Sequence, residues 1–143
     1  MSSEDLEGLR LIRDRGPAGM AIAAGEYGYD SRCFRRMLAA GAVDVLQSDA
    51  TRCGGVSGFI KAAALVEAFE LPISSHTAPS LHVHSCCAAP NAIHLEWFYD
   101  HARIERMLFD GAPQPEDGRL AADLSRPGLG LTFRSVDAEH YRV

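Results

Sequence analysis

The stretch VDVLQSDATRCGGVSGFIKAAALVEAFE, residues 43–70, decides the fold. Val43-Asp44-Val45-Leu46-Gln47 has the length and composition of a buried strand. Asp49 follows it at once. Gly54-Gly55 marks a tight turn. From about Ser57 to Phe69 the chain reads as a helix, carrying Ile60, Ala64, Leu65 and Ala68. Leu71-Pro72-Ile73-Ser74 is then a second strand, with Pro72 tolerable at its start. Strand, turn, helix and strand in this order make a βαβ unit, whose strands run parallel.

Reading outward, the same alternation continues in both directions. Ser2-Ser3-Glu4-Asp5 resembles a helix cap, and Leu6, Leu9 and Ile12 recur at helical spacing until Gly16-Pro17. Met20-Ala21-Ile22-Ala23-Ala24 is a strand-sized apolar run before Gly25. Asp30 or Ser31 caps a helix through Ala40, with Phe34, Met37 and Leu38 as its apolar face and Gly41 as its stop. Leu81 to Ala89 reads as a helix ended by Pro90, and Ala92-Ile93-His94-Leu95-Glu96 as a fourth strand. After Trp97 the pattern turns irregular, with Pro113, Pro115, Gly118 and Pro127-Gly128, and predicts a surface extension rather than another β/α unit. The order αβαβαβαβ plus a tail predicts an α/β fold of about four parallel strands with right-handed crossovers.

Composition narrows the function classes. The 143 residues fit one ordinary domain, or about half of a (β/α)8 barrel of roughly 250 residues. Apolar residues make up 47% and charged residues 23%, as in a folded domain rather than a disordered tail. Net charge is −5 and Lys61 is the only lysine, so no nucleic-acid partner is expected. No apolar run reaches the roughly 18 residues of a membrane helix, so no membrane partner is expected. The opening MSSEDLEGLR lacks a hydrophobic signal core, and Cys33, Cys53, Cys86 and Cys87 show no CxxC spacing. Both point to a cytoplasmic protein with reduced thiols.

A residue suited to chemistry follows or ends each strand: Glu26, Asp49, His76 and Glu96. In parallel α/β folds the C-terminal strand ends converge on one face, where active sites lie. Taken singly, each has a plainer reading: Asp49 as a helix cap, Glu26 and Glu96 as solvated loop residues, His76 as a hydrogen-bonded loop histidine. Their shared register favours a site. Other signals are weaker. His82, His84, Cys86 and Cys87 hold metal-ligand types without paired zinc spacing, and packing of small residues explains them better. Gly54 to Gly58 lacks the phosphate-loop lysine and reads as a turn. Arg52 is equally a substrate-carboxylate contact or a surface ion pair. Cys53 reads as an inert small residue. Tyr27 and Tyr29 line a pocket or pack over its mouth, and Trp97 and Phe98 anchor packing.

The pieces AAGEYGYD, VLQSDATRCGGVSGF, PISSHTAPSLHVH, IHLEW and PGLGL resemble the C-terminal half of the barrel domain of the enolase superfamily, in its mandelate racemase/muconate lactonizing enzyme-like family. The strand-end residues keep the family's order, with 23 residues from Glu26 to Asp49, 27 more to His76 and 20 more to Glu96. The resemblance implies a partial TIM-type (β/α) barrel over residues 1–110 and a C-terminal extension over 111–143. It implies a Mg²⁺-dependent enzyme that abstracts the proton alpha to a carboxylate, an acid-sugar dehydratase. The alternatives are a racemase of a 2-hydroxy acid, or a catalytically inactive half-barrel that self-associates. Glu26 matches a carboxylate ligand of Mg²⁺, His76 the general acid/base, Asp49 its partner, and Glu96 an acid that hydrogen-bonds the substrate carboxylate. Mg²⁺ is a hard cation that takes oxygen ligands and stabilises enolate charge. The implied partners are a small carboxylate or acid-sugar substrate and further copies of the chain in a homo-oligomer. The family's lysine motif and two further metal carboxylates find no match. The expectation is therefore a truncated or half-barrel chain, inactive alone.

Overall fold

The computed structural model describes residues 4–142. Four strands form one parallel sheet in chain order: β1 (Ala23–Ala24), β2 (Val45–Ser48), β3 (Ile73–Ser75) and β4 (Ala92–Leu95). Helix α1 (Leu6–Arg15) precedes them, and α2 (Ser31–Ala39), α3 (Gly55–Glu67) and α4 (Pro79–Cys87) connect them. The α/β architecture predicted from the alternation is the one observed. No helix among the described residues is long and apolar enough to cross a membrane.

Register explains which face each strand residue takes. Leu46 pairs with Ile73, and Ile73 with Ala92. Leu46 and Ile73 are fully buried with Phe34, Met37 and Leu38 of α2 and Phe59, Ala62, Ala63 and Val66 of α3. One residue further along, Gln47, Ser74 and His94 form a row, and Ser48, Ser75 and Leu95 the next. The backbone ladder continues past the strands, His76 N–H donating to Ser48 O and Glu96 N–H to Ser75 O. Asp49, His76 and Glu96 thus emerge at neighbouring strand ends.

The helix ends follow local chemistry. The Asp5 carboxylate caps α1 by accepting from Gly8 N at 2.9 Å, whereas Ser2 and Ser3 lie outside the described residues. The Asp30 carboxylate accepts from both Arg32 N and Cys33 N at 2.9 Å. These bonds, led by the one from Cys33, hold its carboxyl below the usual range.

Three elements depart from the sequence reading. The strand expected over 20–24 pairs only at Ala23–Ala24, because Ile22 N–H bonds the Asp44 side chain instead of a strand carbonyl. Helix α3 begins at Gly55 and buries Phe59, Ala62, Ala63 and Val66, leaving Ile60 36% exposed. A helix apolar nearly all round does not declare its inward face; Gly58 sets it. A Cβ there would lie 1.8 Å from Cys53 O, so only glycine allows that approach. Beyond Trp97 the chain forms α5 (Tyr99–Leu108), β5 (Phe109–Asp110), β6 (Thr132–Phe133) and α6 (Ser135–Glu139). Strands β5 and β6 pair antiparallel. The missed α5 packs on α4 through buried Ala102 and through Glu105, whose carboxylate accepts from Ser80 Oγ at 2.6 Å. A carboxylate in the packed stripe breaks the apolar periodicity that would have revealed the helix.

Candidate active site

Asp49 is the buried centre of the site, 1% exposed at the end of β2. Its Oδ1 accepts from Thr51 N and Thr51 Oγ1, both at 2.7 Å. Its Oδ2 lies 2.9 Å from Nδ1 of His76 at the end of β3. Burial raises the Asp49 carboxyl pKa, but the bonds from His76 and Thr51 outweigh it and leave the group below the usual range. The carboxylate is therefore ionised at neutral pH.

That fixes the His76 tautomer. An ionised carboxylate only accepts, so Nδ1 carries the proton and donates it. Arg52 Nη1 lies 3.2 Å from the same Nδ1 and 3.3 Å from Asp49 Oδ2. Two donors do not bond each other, so Arg52 and His76 share Oδ2. Nε2 of His76 has no protein partner among the described residues. The Asp49 carboxylate thus fixes the orientation of the His76 ring.

Arg52 ties three strand ends together. Besides the Asp49 oxygen that it shares with His76, it donates to Glu26 O at 3.3 Å, and its guanidinium lies 4.8 Å from the centre of the Tyr27 ring. The sequence left it between a substrate contact and a surface ion pair. The structure makes it a partly buried brace, because a residue three past Asp49 curls back over the strand end.

The other two strand-end residues stand apart from the dyad. Glu96 is half-buried, and its Oε2 accepts from Thr77 N at 2.9 Å. Glu26 is half-buried too, and its Oε2 accepts from Gly25 N at 3.1 Å. Gly25 brings β1 against β2 here, since a Cβ on it would sit 2.6 Å from Gln47 O at φ +133°. Among the described residues no three His, Cys, Asp or Glu side chains gather as metal ligands. Glu26 alone does not amount to a Mg²⁺ site. A cleft of about 200 Å³ beside β1, lined by Gly25, Tyr27, Phe34 and Arg36 among others, does not include Asp49 or His76.

The competing His/Cys cluster is dispersed. His82 is fully buried, with both ring nitrogens bonded to backbone. His84 faces Leu129 O at 3.3 Å, and Cys87 is exposed. Burial pushes the Cys86 and Cys53 thiols up, so Cys53 beside the site is not a thiolate.

A family model described as enolase C-terminal domain-like matches residues 1–138. The chain belongs to that family. The chain is 34% identical over 145 residues to a D-gluconate dehydratase of Thermoproteus tenax, covering 98% of the chain and 29% of the relative. Among solved structures, a mandelate racemase/muconate lactonizing enzyme-like protein from Rubrobacter xylanophilus is 49% identical at a TM-score of 0.92, covering 98% of this chain and 38% of that one. An L-talarate dehydratase from a Polaromonas species, solved with Mg and L-glucarate, is 31% identical at a TM-score of 0.83, covering 97% and 37%. The four-stranded sheet is thus a C-terminal portion of an enolase-superfamily barrel. The chain spans about a third of the length of these relatives.

Proposed function

We propose that this chain supplies the base-bearing part of an acid-sugar dehydratase site. The observation that carries the reading is the 2.9 Å contact between buried Asp49 and His76 at adjacent strand ends. The names of its relatives support the substrate class. In this reading Nε2 of His76 removes the proton alpha to the substrate carboxylate. The C–H electron pair moves into the enediolate, the β-hydroxyl then leaves as water by taking back the proton held on His76 Nε2, and the resulting enol tautomerises to the keto acid. Asp49 holds Nδ1 and offsets the imidazolium charge. Glu96, held by the Thr77 amide, hydrogen-bonds the substrate carboxylate. Residues 1–110 form the barrel portion and 111–143 an extension.

Glu26 would offer one carboxylate oxygen to a bound Mg²⁺, a Lewis acid that would stabilise enolate charge. The ligand set is incomplete among the described residues. The chain alone is proposed to be inactive.

The test is a chimera. Residues 4–142 replace the matching third of the D-gluconate dehydratase, and release of the keto-deoxy product is followed with D-gluconate and Mg²⁺. The expected result is turnover that His76→Ala abolishes. A folded chimera whose turnover survives His76→Ala refutes the assignment. The chain by itself should show no turnover of D-gluconate, D-galactonate or L-rhamnonate, and robust Mg²⁺-dependent turnover would overturn the inactivity reading.

A further inference from the structure

The turn after β3 is strained. Thr77 and Ala78, the two residues after His76, both adopt left-handed backbone at φ +46° and +40°. Neither is glycine, and such residues persist only where the surroundings over-determine them. Two side chains do so. Glu96 Oε2 accepts the Thr77 amide at 2.9 Å. His82, one turn into α4, has its Nδ1 2.7 Å from Thr77 O and 3.1 Å from Ala78 O.

The other edge of the same imidazole reaches β2. Ala50 N–H, next to Asp49, donates to His82 Nε2 at 2.8 Å. Carbonyls only accept and amides only donate, so the tautomer is fixed: Nδ1 carries the proton and Nε2 the lone pair. His82 Nε2 also lies 3.7 Å from Asp49 Oδ1. With no proton there it makes no ion pair, and burial, which lowers its pKa, keeps the ring neutral. Phe59 backs the ring at 5.8 Å between centroids.

We infer that His82 is the positioning residue of the Asp49–His76 pair, a neutral imidazole clamp holding the backbone that follows each. It bonds the residue after Asp49 with one nitrogen and the residue after His76 with the other. No other side chain among the described residues is bonded to both of these backbone segments. The inference rests on the reading of His76 and Asp49 as the reacting pair, but its test does not use activity.

The test reads hydrogen positions by nuclear magnetic resonance. In the unaltered protein, the Ala50 amide should show a through-hydrogen-bond coupling to His82 Nε2, and His82 should be protonated only at Nδ1. His82→Gln keeps an acceptor near the Nε2 position and should keep the Ala50 amide protected from exchange. His82→Asn keeps a donor near the Nδ1 position, and its Ala50 amide should exchange at least about tenfold faster. His82→Met fills the volume with no polar atom. In a folded His82→Met variant, the downfield Nδ1–H signal of His76 should weaken or split as the ring leaves Asp49. An unchanged His76 signal there overturns the inference. If the Met variant does not fold, the coupling in the unaltered protein and the Gln/Asn contrast decide: absence of either overturns it. A clamp seen by resonance beside an inactive chimera would leave this inference standing and remove the catalytic reading.

Discussion

Asp49→Asn exchanges one carboxylate oxygen for an NH₂ group at almost constant volume. The amide orientation is forced. Thr51 N and Oγ1 both donate to Oδ1 at 2.7 Å, so the amide oxygen must stay there. The NH₂ then takes the place of Oδ2, 2.9 Å from His76 Nδ1 and 3.3 Å from Arg52 Nη1. A donor now faces Nδ1–H, so His76 must move its proton to Nε2. The nitrogen that accepted a proton becomes the one that carries it. In a serine-protease triad the same change of tautomer lowers kcat on the order of 10⁴, and a loss of that order is expected in the chimera. Stability falls as well. The two Thr51 bonds pass from charge-assisted, about 1.5–3 kcal/mol, to neutral, about 0.5–1.5 kcal/mol. These two bonds alone cost about 2–3 kcal/mol, to which the now unfavourable Arg52 contact adds, so the urea midpoint falls by at least about 1 M at a slope near 2 kcal/mol per M. The pH dependence has a definite sign. The folded-state carboxyl of Asp49 lies below its unfolded value, so its stabilisation is present above about pH 4 and is lost as pH falls through the folded value. The gap between parent and variant should therefore narrow below about pH 4. Urea melts from pH 3 to 7 and ¹⁵N spectra of the imidazoles measure both effects. A variant in which His76 still carries its proton on Nδ1, at an unchanged midpoint, would show that the Asp49 carboxylate does not set the His76 tautomer.

Two further outcomes follow from packing. Gly58→Ala lies in helix α3, where alanine normally gains about 0.5–1 kcal/mol; here its Cβ would meet Cys53 O at 1.8 Å, so the sign inverts and calorimetry should show a lower Tm. Strands β1 and β4 each have one neighbour in the sheet, and the apolar runs that hold them carry neither lysine nor proline, while Ile93 is 55% exposed. At micromolar concentration, sedimentation equilibrium should show a dimer or larger assembly, and a stable, cooperatively melting monomer would rule this out.

The layer order was legible because each strand carries its own punctuation. Gly25, Gly41 and Pro90 bound apolar runs too short for anything but buried strands. The Asp49–His76 encounter was legible for the same reason, since parallel strands in register deliver their end residues side by side. What stayed hidden depends on partners distant in sequence. Strand β1 shortens because the Asp44 side chain takes its backbone donor. Helix α5 escaped because Glu105 serves the start of α4. His82 read as part of a small-residue packing cluster, although its place four residues after Ala78 aims a helical side chain back at the preceding turn. That spacing was the available signal.

The sheet contains no hairpin, and this bears on how the molecule is made. Ala23 must wait for Val45, Leu46 for Ile73, and Ile73 for Ala92 before any of these pairings can close. Each closure spans a whole intervening helix, the kind of non-local contact that slows folding toward milliseconds and seconds. On a ribosome adding about 5–20 residues per second, β1 and β2 would emerge with their edges bare for seconds before β3 and β4 follow. Slower elongation between β2 and β3, or synthesis at low temperature, should therefore change the yield of folded chain more than any substitution in the solvent-facing helix surfaces.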